Sequence, residues 1–320
     1  MRMAYPLRPL SPLRPYPPKT TNQSAMSYRR QKALLLAGPD YTGKGLDDLK
    51  ALHHQALVKG LHGLCFSAYT EGQEPGTHLS YEQVRRRMEI ISPFCQWVRS
   101  FSCIEGNELI PQAAHELGLN TLVGAWLGTD EEKNEQEIQA LIELGQAGHV
   151  DIAAVGNEVL YRNDLPKEKL LEHLRRVKEA LPHVPVGYVD AYYEFTQHPD
   201  ICALCDVILA NCYPFWESCQ LEYALMYMKQ MYQQAKEAAQ GKPVIITETG
   251  WPSQGEALGG AIPSDENAIK YFLNTQHWGQ EEKIDIFYFS SFDESWKVGD
   301  EGDVGAYWGI WDKNEQLKFV

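Results

Sequence analysis

From about residue 45 onward, short runs of apolar, β-branched and aromatic residues alternate with longer stretches in which apolar residues return every three or four positions. The short runs fit strands and the longer ones amphipathic helices, and their alternation is the pattern of βαβ units around a parallel sheet. Strands are predicted at about 61–69, 97–103, 121–127, 150–156, 185–190, 207–212, 243–247 and 285–291. Runs such as VIITE, VILANCY and DIFYFSSF lack polar alternation, as expected when helices cover one face of a strand and a core the other. Eight such units predict a single closed (β/α)8 TIM barrel, an α/β fold. The rival is an open doubly wound sheet, which favours a glycine-rich phosphate loop after its first strand. The segment there, AYTEGQEPGTHLS, contains neither G-x-G-x-x-G nor G-x-x-x-x-G-K-[ST].

The helical stretches support the same order. Residues 165–181, LPKEKLLEHLRRVKEAL, put Leu170, Leu171, Leu174, Val177 and Leu181 on one face before Pro182 stops the helix. Residues 221–239 do the same ahead of Gly241 and Pro243, and the polar stretch 130–145 ends on Gly145, predicted to cap that helix.

Composition changes this picture at the edges. Residues 1–30 are rich in Pro and Arg, predict an extended and uncored N-terminal extension, and leave 31–320 as one barrel domain. The extension has no apolar stretch of the roughly 7 to 15 residues that a secretory signal requires, and no run in the chain approaches the roughly 18 of a membrane helix. A cytoplasmic protein is therefore expected, with export, alone or as a domain of a longer exported protein, as the alternative. The net charge of -14 repels phosphate backbones and anionic membrane surfaces, so neither nucleic acid nor membrane is an expected partner. A neutral small molecule or polymer fits better, bound by a monomer. The seven Cys residues are odd in number and scattered, which predicts reduced, buried thiols. The C-x-x-C of Cys202 and Cys205, with Cys212 and Cys219 nearby, raises the question of zinc. Cys205 and Cys212, however, flank the apolar run 207–210, so packing is the expected role.

In a barrel of this kind the reacting groups project from the C-terminal ends of the strands. Two of those ends carry a lone glutamate: Glu158, after Asn157 in VDIAAVGNEVLYR, and Glu248 in KPVIITETGWPSQG. A carboxylate that closes an apolar run is costly unless it is paired or at work. Two on one rim point to a shared site. Aromatic residues gather just past the same ends, at Tyr69, Trp126, Tyr213, Trp216, Trp251, Phe292 and Trp296, where their faces can stack on the C–H faces of sugars. Two carboxyl groups flanking an acetal oxygen suffice for glycoside cleavage, one protonating the leaving oxygen and the other attacking the anomeric carbon. Asn157 can bond a sugar 2-hydroxyl, Tyr213 can hold the nucleophile ionised, and Asp293, Glu294 and Lys297 remain for other hydroxyls. A metal-dependent hydrolase would want His at strand ends, but His53, His54, His62 and His115 fall in or near predicted helices and turns. No metal or other cofactor is expected.

At these residues the chain resembles glycoside hydrolase family 17. VGNE at 155–158 is similar to that family's acid/base motif and ITETGWPS at 246–253 to its nucleophile motif. NCYPFW at 211–216, FYFSSFDESWK at 287–297 and GDVGAYWGIWD at 302–312 resemble its sixth strand, eighth strand and closing segment. The likeness runs from about Gly60 to the C-terminus. It implies a β-1,3-glucan substrate, Glu158 as general acid/base, Glu248 as nucleophile, net retention and carboxyls about 5 to 5.5 Å apart. It also implies Tyr69, Asn157, Tyr213, Trp251, Glu294 and Lys297 as sugar contacts. The compact segment after the eighth strand looks more like microbial members than the secreted plant ones. Hydrolysis is the first expectation, transglucosylation through the same glycosyl-enzyme the alternative, and an inactive glucan-binding barrel the third.

Overall fold

The computed structural model describes residues 38–320, so the predicted extension at 1–30 lies outside the described residues. Eight strands, β1 (Leu61–Cys65), β2 (Cys95–Ser100), β3 (Asn120–Ala125), β4 (Ile152–Asn157), β5 (Val186–Ala191), β6 (Val207–Asn211), β7 (Val244–Thr249) and β8 (Ile286–Tyr288), pair in chain order into a closed barrel. All pairings are parallel, and β8 returns to β1 through Gly63 and Leu64 opposite Phe287 and Tyr288. The predicted first and eighth strands run past Cys65 and Tyr288. There the ladder gives way to loop contacts, Ser291 N donating to Cys65 O and Phe289 N to Thr249 O.

Helices α1 (Leu46–Lys59), α2 (Tyr81–Ile91), α3 (Leu109–Glu116), α4 (Glu131–Gln146), α5 (Lys167–Ala180), the short α6 (Glu194–Gln197) and α7 (Pro199–Leu204), α8 (Leu221–Ala238) and α9 (Asp265–Glu282) surround the barrel. Each turns an apolar stripe inward. On α5 this is Leu170, Leu171, Leu174 and Val177, each buried and each contributing about 1.5–3 kcal/mol of transfer free energy. Side-chain caps start α2, α4 and α9: Ser80, Asp130 and Ser264 accept from amides in the first turn. Helix α4 does not end on Gly145, which lies inside it against Leu181. The cap falls at Ala147, and the following Gly148, with φ +82°, allows His149 N to reach Leu144 O and Gly148 N to reach Gly145 O.

All seven cysteines are free, and only Cys219 is not fully buried. Cys202 donates to Phe195 O in the core, and among the described residues no three His, Cys, Asp or Glu side chains are grouped to hold a metal. No described helix is long and apolar enough to cross a membrane.

The barrel is irregular where β4 and β7 end. Between the pairs Ala154–Gly187 and Asn157–Val189, β4 carries one residue more than β5; β7 does the same against β6 and against β8. Such bulges bend a strand and re-aim the next side chain. On β4 the turn uses Gly156 at φ +83°, where a Cβ would meet Val159 at 2.8 Å. Glu158 directly follows the first of these strands, and Glu248 is the penultimate residue of the second.

Candidate active site

Glu248 sits on β7 inside a ring of donors supplied by other strands. Arg99 of β2 reaches it with Nη1 at 2.6 Å from Oε1, Asn211 of β6 donates to the same oxygen at 3.1 Å, and the Tyr213 hydroxyl donates to Oε2 at 2.8 Å. Arg99 also bonds Asn157 Oδ1 at 2.7 Å, and Thr247 fixes Asn211 by donating to its Oδ1 at 2.9 Å. Burial first, then the Glu248 charge, pushes the Tyr213 hydroxyl well above its ordinary range, so it stays a donor. Three donors, one of them a buried guanidinium, hold both oxygens of the Glu248 carboxyl in place.

Glu158 has the opposite surroundings. It follows the β4 bulge with φ +52°, a conformation that costs a non-glycine residue on the order of 1–3 kcal/mol and persists only where neighbours hold it. Among the described residues its side-chain donor is Asn211 Nδ2, at 2.9 Å from Oε1. Burial and then the negative Glu248 push its carboxyl up to about 7, against a smaller downward pull from Asn211. At neutral pH it is poised to give up a proton or to take one.

Because Asn211 Nδ2 bonds both glutamates, at 2.9 and 3.1 Å, their Oε1 atoms can lie no more than the 6.0 Å end-to-end span of those bonds apart. Retaining glycosidases hold their carboxyls about 5–5.5 Å apart, whereas inverting ones need about 6.5–9.5 Å to admit a water.

The other residues expected at the site divide into two groups. Glu294 and Lys297 form a buried ion pair at 2.8 Å next to the Trp296 indole N–H. Burial alone would raise Glu294, but Lys297 outweighs it and holds the carboxyl below its ordinary range. Tyr69 lies edge-on to Trp296 and accepts from Asn107 Nδ2 at 3.1 Å. Trp216 keeps 39% of its surface exposed while leaning on Trp308 and Phe215. Trp126 is exposed beneath the Arg162 guanidinium.

Trp251, Phe292 and Asp293, by contrast, are not at the open rim. Trp251 is buried between Phe215 and Tyr271 with its N–H on Ile262 O, and Phe292 is buried under Arg87, whose guanidinium carbon stands 3.7 Å above the ring. Asp293 accepts from Lys318 at 2.9 Å and from Gly309 N at 2.8 Å, tying the loop after β8 to the C-terminal segment. Position just past a strand end does not say which way a ring points, and these turn inward.

Arg99 and Asn211, the residues that organise the carboxyls, were not singled out from the sequence. Arg99 interrupts the apolar run of β2, as Glu248 closes that of β7, and a lone charge there is the signal that could have found it.

An eight-stranded barrel with two glutamates, oppositely surrounded, at the ends of its fourth and seventh strands has the equipment of a glycoside hydrolase. Comparison with known proteins agrees. The BtgE/BtgC glycoside hydrolase domain matches residues 63–309, and the chain belongs to this group within glycoside hydrolase family 17. It is similar to the glucan 1,3-beta-glucosidase of Schizosaccharomyces pombe, 29% identical over 72% of this chain and 78% of that protein. The glucan 1,3-beta-glucosidase of Saccharomyces cerevisiae is 24% identical over 82% of this chain and 91% of its own length. Among solved structures, the Rhizomucor miehei beta-1,3-glucanosyltransferase, an active-site mutant in complex with laminaritriose, superposes with a TM-score of 0.73. It is 28% identical, over 82% of this chain and 96% of that one.

Proposed function

We propose that this protein cleaves β-1,3-glucosidic bonds in glucans or their oligosaccharides by double displacement. In the first step the Glu158 proton passes to the glycosidic oxygen, the bond to the anomeric carbon breaks, and Glu248 attacks that carbon to form a glycosyl ester. In the second, the Glu158 carboxylate takes a proton from water, whose oxygen attacks the anomeric carbon and releases Glu248. The observation that carries this reading is the shared Asn211 donor, which brings one oxygen of each carboxyl to within 6.0 Å of the other and so supports the close pairing a retaining site uses. The substrate is drawn from the relatives, named for 1,3-β-glucan or bound to laminaritriose. Arg99 and Tyr213 hold the nucleophile in place by hydrogen bonds to its two oxygens, and the Glu294–Lys297 pair and Trp216 supply polar and stacking contacts for sugar rings.

The glucanosyltransferase relative favours a second reading, in which a sugar hydroxyl replaces water in the second step. A time course with a short β-1,3-linked oligosaccharide distinguishes them: shorter products alone mean hydrolysis, and longer ones as well mean transfer. An unchanged substrate contradicts both.

A further inference from the structure

Behind Glu158 lies a buried carboxyl group that the two-step reaction does not use. Tyr188 and Asp190 stand two residues apart on β5, so their side chains leave the same face of the strand, and both are buried. The Tyr188 hydroxyl donates to Asp190 Oδ2, and Ala191 N donates to Oδ1 at 2.7 Å, which fixes the carboxyl plane. The same pair receives two successive amides of the turn after Glu158: Leu160 N donates to the Tyr188 hydroxyl oxygen at 2.9 Å, and Tyr161 N to Asp190 Oδ2 at 3.4 Å. Glu158 N itself donates to Val189 O at 2.8 Å. Strand β5 thus grips the chain at Glu158, Leu160 and Tyr161. The turn closes on itself through Arg162 N to Glu158 O and Asp164 N to Val159 O.

We propose that Tyr188 and Asp190 are a positioning pair for Glu158: by holding the amides of Leu160 and Tyr161 they keep Glu158 in its left-handed conformation and aim its carboxyl at the glycosidic oxygen. The proposal rests on the reading of Glu158 as general acid/base. It accounts for why a core strand of the barrel carries an acid that touches no substrate.

Charge gives the pair a second lever. Glu158 faces Glu248 from β7, Asp190 from β5 and Arg162 from its own turn, with Asn211 donating from β6. Asp190 in turn faces Tyr188 and Glu194 of α6. Burial raises it, the Tyr188 and Ala191 bonds pull it back, and it comes to rest at about 6. Above that pH its negative charge joins that of Glu248 in keeping the proton on Glu158. Tyr188→Phe removes one amide acceptor and keeps the charge, whereas Asp190→Asn keeps the size and removes the charge.

The test measures kcat/KM against pH for the wild type, Tyr188→Phe, Asp190→Asn and Glu158→Ala on two substrates. One is a β-1,3-glucan oligosaccharide. The other is a dinitrophenyl β-1,3-oligoglucoside, whose leaving group departs unprotonated. Misaiming the acid should cost the β5 variants about tenfold or more on the oligosaccharide and less than about threefold on the dinitrophenyl substrate. Asp190→Asn should also move the alkaline limb to lower pH. Equal losses on both substrates, or no loss on either, would overturn the proposal. If Asp190→Asn does not fold, Tyr188→Phe, which deletes only a hydroxyl, decides by the same ratio. Should Glu158→Ala lose the oligosaccharide selectively while the β5 variants do not, only the positioning fails. Should Glu158→Ala keep full oligosaccharide activity, the general-acid reading falls and the pair has nothing to aim.

Discussion

Strands β4 and β7 each carry a glutamate at their C-terminal ends, beside bulges of the same kind, yet the two glutamates meet different surroundings. Around Glu248 stand Arg99, Asn211 and Tyr213, all donors, the first from β2 across the barrel and the other two from the end of the adjacent β6. Around Glu158 stand Glu248, Asp190, the shared Asn211 amide and Arg162 of its own turn. One environment surrounds a carboxylate with hydrogen-bond donors, and the other holds a proton until neutral pH. Division of labour between two identical side chains is thus set by what the other strands of the barrel present, the general rule for a two-carboxyl site. It also explains why the backbone is regular at most strand ends and bulged at these two.

The comparison breaks most completely at the nucleophile. Glu248→Ala should lower turnover of β-1,3-glucan on the order of 10⁴-fold or more while binding of the oligosaccharide, followed by calorimetry, persists. Glu158→Gln should cost about 10²–10⁴-fold in kcat/KM on glucan and far less on a dinitrophenyl glycoside, because only the former leaving group needs a proton. Equal losses on the two substrates would erase the distinction drawn here. Tyr213→Phe takes one of the donors from Glu248. A hydrogen bond to a charged group contributes about 1.5–3 kcal/mol, so a fall in kcat/KM of roughly 10- to 100-fold is expected, read by steady-state kinetics.

The smallest effect is on stability. Glu158 rises to about 7 in the folded protein from an ordinary value of 4.5, so between those limits the folded state holds a proton that the unfolded chain releases. Stability therefore falls as pH climbs from about 4.5 to 7, and the cost is full above that range. Glu158→Gln removes it: thermal unfolding should show the variant gaining a few degrees over the wild type at pH 8 and little at pH 4. A gain that is the same at both pH values would mean that the proton is not bound at Glu158.

Much of this was legible in the chain because buried parallel strands read as unbroken apolar runs, and a glutamate closing such a run stands out against them. What the sequence did not carry was direction. Trp251 and Phe292 follow strand ends just as Trp216 does, but they pack inward, since the loop conformation that turns a ring is decided by contacts such as Arg87 and Tyr271 from distant helices. Asp293 reads as a free rim carboxylate until Lys318 arrives from the far end of the chain. Arg99 lies fifty-nine positions before Glu158 and 149 before Glu248, so only barrel closure brings the three together. The glycine that ends α4 is 148 and not 145 for a local reason, because the residue after the cap turns left-handed there while Gly145 continues the helix.

The central claim, that Glu248 is the nucleophile and Glu158 its proton partner, is met most directly by trapping the intermediate. Incubation with a dinitrophenyl 2-deoxy-2-fluoro β-glucoside, followed by proteolysis and mass spectrometry, should find one glycosyl adduct on the peptide that carries Glu248, formed as dinitrophenol is released. An adduct on another residue, or steady turnover of glucan with inverted product, would contradict the account.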